Sequence, residues 1–164
     1  MGRDSSGIQA WLTAFREAAL EMAATSLRFD GTVQPMPDSS LCGPQPSAYI
    51  PILSREESIR LGISTSPDGV RLLTRAMLRI RADRPIEDAD AADGMGEILN
   101  IVAGKVKSRM TQGDGTLLLG LPMFISARSH AGANLEHVEA DIRLGPVPCR
   151  LTVHRRCLAE SQAA

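Results

Sequence analysis

The chain has 164 residues, 43% of them apolar and 23% charged, a balance that supports a buried core and excludes a disordered segment. The formal net charge of −1 and the 3% aromatic content exclude the basic surface and stacked rings of a nucleic-acid binder. No window approaches the roughly 18 continuous apolar residues of a membrane span, and no signal-peptide core opens the chain. Cys42, Cys149 and Cys157 are odd in number and lack a CxxC pair, so a reduced, cytoplasmic protein with buried thiols is expected.

Residues 8–28 predict a helix, because Ile8, Leu12, Phe15, Ala19, Met22 and Leu27 recur at helical spacing. From about 31 to 51 the five prolines Pro35, Pro37, Pro44, Pro46 and Pro51 predict a long loop leading into a short strand over Ala48–Leu53. Pro51 marks that strand as an edge or a bulge. A second strand, Ser58–Ser64, alternates Ile59, Leu61 and Ile63 with Arg60, Gly62 and Ser64.

Ser66-Pro67-Asp68 combines a capping hydroxyl, a first-turn proline and an early acid, and so starts a helix. That helix carries Val70, Leu73, Met77 and Ile80 on one side and is expected to stop at Pro85. Asp88-Ala89-Asp90 opens a third helix running to about Met110, followed by a turn at Gly113-Asp114-Gly115. Three strands are expected to close the chain, over Thr116–Ala127, Leu135–Leu144 and Val147–Arg156. The last two alternate cleanly around Gly145-Pro146, which predicts a hairpin. The order points to a single α+β domain, a sandwich of a largely antiparallel sheet against long helices, rather than a doubly wound nucleotide fold.

The third helix carries the chemistry. At about 100° per residue, Met95, Leu99, Val102, Val106 and Met110 form one narrow apolar stripe. Asp93, Glu97, Asn100 and Gly104 fall together on the opposite side, so a carboxylate and a carboxamide stand one turn apart and face solvent. A glycine inside a helix costs about 1 kcal/mol relative to alanine. On the polar face, Gly104 removes a side chain that would crowd an approaching surface, Gly94 and Gly96 thin the helix upstream, and Ile101 offers an apolar contact beside the polar pair.

The run from Gly96 to Lys107, GEILNIVAGKVK, resembles the E-x-x-N signature of the CheC/CheX/FliY chemotaxis phosphatases, and Leu119-Gly120-Leu121-Pro122-Met123-Phe124-Ile125 resembles the strand that follows it in that family. The resemblance implies that the helix docks on a phosphorylated response-regulator receiver of the CheY type. Asn100 would then orient the water that attacks the receiver's aspartyl phosphate, and Glu97 would pair with the receiver's active-site lysine. Asp93, Ile101, Gly104 and Lys107 would complete the docking face. Mg²⁺ would belong to the receiver, so no cofactor or metal of the chain's own is expected.

Where the family usually places asparagine after the glycine, this chain has Lys105. Two-site members carry a second E-x-x-N in the first helix, whereas the comparable stretch here reads Glu21-Met22-Ala23-Ala24. A single motif makes CheX, which pairs as a homodimer, the nearer relative. Two other functions fit the same resemblance: a non-catalytic module that binds a receiver or another signalling protein, and a scaffold used only for homodimerisation.

Several other features have plainer readings. The acids Glu87, Asp88, Asp90 and Asp93 suit a helix start more than a metal cluster. His130, His137 and His154 lack metal spacing and are expected at the surface or satisfied. Arg71, Arg75, Arg79, Arg81 and Arg84 make a basic stretch, a solvated helix side or a contact for an acidic partner.

Overall fold

The computed structural model describes residues 5–29, 31–32, 41, 43, 45–111, 116–125 and 135–158. Its elements run α1 (Ser5–Met22), a π-helical turn (Ala23–Leu27), β1 (Gly31–Thr32), β2 (Ser47–Leu53), β3 (Glu57–Thr65), α2 (Pro67–Leu78), α3 (Asp88–Met110), β4 (Leu118–Leu119), β5 (Met123–Ile125), β6 (Glu136–Leu144) and β7 (Val147–Cys157). The expected α+β class is the observed one: every strand pairing is antiparallel, and the helices pack against the sheet.

The sheet order is β1-β6-β7-β3-β2, with β4 and β5 both pairing to the far side of β2. Its long centre comes from period-two alternation. Ile59, Leu61 and Ile63 of β3 face the same way as Val147, Cys149, Leu151 and Val153 of β7, and all are buried. They form one core with Trp11, Phe15 and Met22 of α1, Val70 and Leu73 of α2, and Met95, Ile98, Leu99, Val102 and Val106 of α3. Phe15 is fully buried there, so truncating it to alanine would remove about 3–5 kcal/mol. The β6–β7 turn joins Leu144 to its partner Val147. Gly145 takes φ 60°, left-handed backbone that glycine adopts without strain, and Pro146 supplies the negative φ that follows.

Five expectations need correction. The first helix leaves α geometry after Met22 and ends in the π turn, with Arg28 left-handed at φ 58°. The expected loop from 31 is entered by β1, which pairs with the end of β6, and β2 begins at Ser47. β2 is no edge: Pro51 lies inside it, with β3 on one side and β4 and β5 on the other. The Pro51 carbonyl accepts the Gly120 N–H at 2.9 Å, on the side where the chain breaks between β4 and β5. A missing proline N–H is tolerated there because no ladder partner waits for it.

The second helix ends at Leu78, well before Pro85. Arg79 turns left-handed at φ 53° and its N–H bonds back to the Arg75 carbonyl. The guanidinium of Arg75 then holds the loop through the carbonyls of Arg81 and, at 3.0 Å, Arg84. Finally, the strand expected over Thr116–Ala127 is two short pieces separated by Gly120-Leu121-Pro122. The expected turn at Gly113–Gly115, and also Cys42, His130 and residues 126–127, lie outside the described residues.

Candidate functional site on the outer face of α3

α3 spans the expected residues. At its start the Glu87 N–H donates to the Asp90 carboxylate at 3.0 Å, which places that acid at the positive end of the helix dipole. Asp90 also receives Arg84 at 3.2 Å. The acids of this turn therefore serve the helix, and among the described residues no group of three His, Cys, Asp or Glu side chains is placed to hold a metal.

The expected apolar stripe is buried along Met95, Leu99, Val102 and Val106, whereas Met110 is only partly so. Asp93 and Glu97 are exposed and Asn100 is half-exposed. These three come together in one open groove of about 520 Å³, lined also by Ala92 and Gly96 of α3, Leu78 at the end of α2, and Pro122 and Phe124 of the β4–β5 segment. Among the described residues, the side chains of Glu97 and Asn100 have no hydrogen-bond or ion-pair partner. The groove thus offers a carboxylate, and a carboxamide that can donate and accept at once, between apolar walls.

Ile101 and Gly104 lie across the ridge of the helix. They line a neighbouring groove of about 530 Å³ with Glu21, Lys105, Ser108 and Arg109. A Cβ on Gly104 would meet nothing within 4 Å, so the glycine leaves the surface open, as the sequence suggested. Gly94 and Gly96 act differently from that expectation. A Cβ on Gly94 would lie 2.8 Å from Thr74 Cγ2, and one on Gly96 would lie 3.4 Å from Pro122 Cγ. They bring α2 and the β4–β5 segment close to α3 instead of thinning its outer face. Lys107 is half-buried and lines neither groove.

Lys105, the departure from the family pattern, pairs with Glu21 of α1, and Arg109 binds the same carboxylate at 2.5 Å. The hydrogen bond from Lys105, then that from Arg109, holds the Glu21 carboxyl below its usual pKa. The α-helix ends one residue later, at Met22. The acid of the incomplete motif in α1 is therefore engaged inside the molecule.

Of the groove's walls, Leu78 was not singled out from sequence, and Pro122 and Phe124 stood there only in the strand that resembles the family's, not as part of the site. The walls come from α2 and from the β4–β5 segment, which close against α3 at Gly94 and Gly96. The basic stretch is mostly engaged internally: Arg71 with Asp68 at 2.5 Å, Arg81 with Asp83 at 2.9 Å, Arg84 with Asp90, and Arg75 with the loop carbonyls. Among the described residues, the side chain of Arg79 alone of the five lacks a partner.

The remaining polar candidates lie away from the groove. His154 is buried, its Nδ1 has no partner, and its ring lies 6.1 Å from His137 and 6.4 Å from Tyr49. For His154 that corrects the expectation of a surface or satisfied residue, whereas His137 is exposed as expected. Burial first, then Arg60 and His137, lower its pKa from 6.5, with Glu139 opposing. Cys149 is buried and its thiol is pushed up to about 12 by burial, whereas Cys157 is exposed.

None of the curated proteins matches the chain. Among solved structures it is similar to chemotaxis protein CheX from Vibrio vulnificus, at TM-score 0.71 and 13% identity, covering 89% of this chain and 96% of that one. It is similar also to a CheC-like superfamily protein from Shewanella sp. PV-4, at TM-score 0.70 and 14% identity, covering 90% and 97%. A third match is the CheX–CheY–BeF3–Mg²⁺ complex from Borrelia burgdorferi, at TM-score 0.65 and 13% identity, covering 89% and 97%. At such identities these likenesses speak for the fold. No helix among the described residues is long and apolar enough to cross a membrane. The family model "Chemotaxis phosphatase CheX" matches residues 47–140, more than half of the chain and all of α3, and the chain therefore belongs to the CheX family.

Proposed function

We propose that the chain is a phosphatase for the aspartyl phosphate of a CheY-type response-regulator receiver, which docks on the outer face of α3. The observation that carries this reading is the placement of Glu97 and Asn100, unpaired among the described residues, in one open groove of a CheX-family chain. The Borrelia burgdorferi structure, in which a CheX of the same fold is complexed with CheY, BeF3 and Mg²⁺, supports a receiver as the partner.

Asn100 orients a water: its carboxamide oxygen accepts one water proton while the NH₂ group remains free to donate. The water oxygen attacks phosphorus in line, the phosphorus–oxygen bond to the aspartyl carboxylate breaks to free that carboxylate, and dihydrogen phosphate leaves carrying both of the water's protons. Positioning supplies the rate, so no strong base is required, as for the water-orienting glutamine of GTPases. Glu97, one turn away, pairs with the receiver's active-site lysine and sets the register of docking. The metal belongs to the receiver, and the chain contributes no cofactor. Asp93 extends the acidic side of the contact, and Ile101, Gly104 and Lys107 border it. The protein works in the cytoplasm as a homodimer.

The test is the decay rate of a phosphorylated CheY-type receiver with and without the protein, alongside Asn100→Ala. Acceleration that disappears in the variant while binding persists is the expected result. Absence of acceleration across the receivers of the same organism would remove the phosphatase and leave a binding module.

A further inference from the structure

The bend between β4 and β5 puts a leucine where a surface loop ordinarily puts a polar residue. Leu121 is 83% exposed, more than any other large apolar side chain among the described residues. It is also held at both ends. On one side the Gly120 N–H bonds to the Pro51 carbonyl at 2.9 Å, with the backbone so close that a Cβ on Gly120 would lie 2.5 Å from Pro51 Cγ. On the other, the Pro122 ring packs over Gly96 of α3 and lines the groove that holds Glu97 and Asn100.

An isolated exposed leucine needs no explanation. A leucine on a fixed bend, adjacent in sequence to a wall of the site, is a different matter. We infer that Leu121 is an apolar anchor for the receiver that docks on α3, a positioning residue that supplies affinity while Asn100 supplies rate. The inference rests on the proposed function and names what holds that same partner.

The occupant follows from continuity. Pro122 lines the groove and Leu121 precedes it, so a body reaching Asn100 lies against the bend. The groove's charged contacts give register and encounter rate more than affinity, because exposed ion pairs contribute little in water. At such interfaces a few side chains buried in well-packed, desolvated pockets carry most of the affinity, and covering apolar area is favourable wherever it occurs. Leu78, 37% exposed on the opposite wall, is the second apolar contact across the groove. Because the bend is already ordered, little conformational entropy is lost when Leu121 is covered.

The experiment measures binding to CheY-type receivers of the same organism, loaded with beryllofluoride and Mg²⁺ so that no turnover occurs, and then turnover of the phosphorylated receiver. Burying one leucine predicts that Leu121→Ser weakens binding by roughly tenfold or more. Leu121→Met should restore it. In turnover, Leu121→Ser should raise the half-saturating receiver concentration by a similar factor and leave the rate at saturation unchanged. Wild-type affinity in Leu121→Ser, with binding lost in Glu97→Lys, would overturn the anchor and leave the docking face standing. A defect confined to the rate at saturation would overturn it as well. If the wild-type protein binds none of the receivers, the docking reading itself fails and the anchor with it.

Discussion

Two glycines of α3 should respond to the same substitution with opposite sign. Both Gly94 and Gly104 lie inside a helix of 23 residues, so alanine at either gains about 1 kcal/mol from the reduced freedom of the unfolded chain. At Gly104 nothing opposes that gain, because the new Cβ would meet no atom within 4 Å. Gly104→Ala should therefore stabilise the protein by about 1 kcal/mol and raise Tm by about 2–4 °C for a chain of this length. At Gly94 the Cβ would lie 2.8 Å from Thr74 Cγ2 and 3.0 Å from Thr74 Cα, which is backbone and does not swing away. Overpacking of that kind costs about 1–3 kcal/mol, so Gly94→Ala should lose up to about 2 kcal/mol net. Urea unfolding followed through Trp11, the single tryptophan and a buried one, reads both changes. The functional half of the prediction uses a larger side chain. Gly104→Gln should be at least as stable as the wild type yet, on the proposed docking, slow receiver dephosphorylation, because the added side chain would stand in the contact. Destabilisation by Gly104→Ala would show that something covers this position. A stable Gly104→Gln with wild-type turnover would show that the open spot serves no docking.

His154 gives a pH prediction with a definite sign. Folding lowers its pKa from 6.5, so below that value the unfolded chain takes up a proton that the folded one resists. Stability should be full above about pH 6.5 and fall as the pH drops through the window beneath it. The urea midpoint should decline from about pH 7.5 to about pH 5, and the decline should be shallower in His154→Gln, with an equal slope in both proteins counting against the assignment. Glu21→Gln tests whether the end of α1 belongs to the docking surface. Its carboxylate is taken by Lys105 and Arg109, so receiver dephosphorylation should be unchanged in the variant, and a slowed rate would enlarge the site across the second groove.

How far the fold was readable depended on whether local chemistry and long-range packing agreed. In β6 and β7 they do: Ile142 and Leu144 face Cys149 and Val147 across a glycine-proline turn, and alternation alone places every side chain. α3 is as plain, since its apolar stripe is long and its first turn is acidic. The ends of α1 and α2 are different. Each closes on an arginine in the left-handed region, Arg28 and Arg79, where the usual signal is glycine. Arg79 is held by its bond to Arg75 and by the grip of Arg75 on the next loop, contacts that composition does not announce. The break between β4 and β5 was hidden for a related reason. Leu117, Leu118 and Leu119 do not alternate, and the division falls opposite Pro51 of the adjacent strand β2, which has no N–H to donate.

The geometry of the candidate groove was legible along the helix and illegible across it. A period of 3.6 residues is enough to put Asp93, Glu97 and Asn100 on one side. It says nothing of Leu78 or Pro122, which arrive because Gly94 and Gly96 let α2 and the bend close against α3. The helix is also divided along its length. At its first turn Asp90 is taken by Arg84, and in its last two turns Lys105 and Arg109 are taken by Glu21. Glu97 and Asn100 lie between these internal pairs with their hydrogen-bonding capacity unspent among the described residues. Exposed polar side chains lose little by facing water, so this arrangement does not stabilise the fold. It leaves one turn of a well-anchored helix, flanked by an apolar wall on either side, with hydrogen-bonding groups for a partner to complete. That is the physical ground on which the proposed function sets its chemistry at Asn100 and its grip on a receiver at the walls.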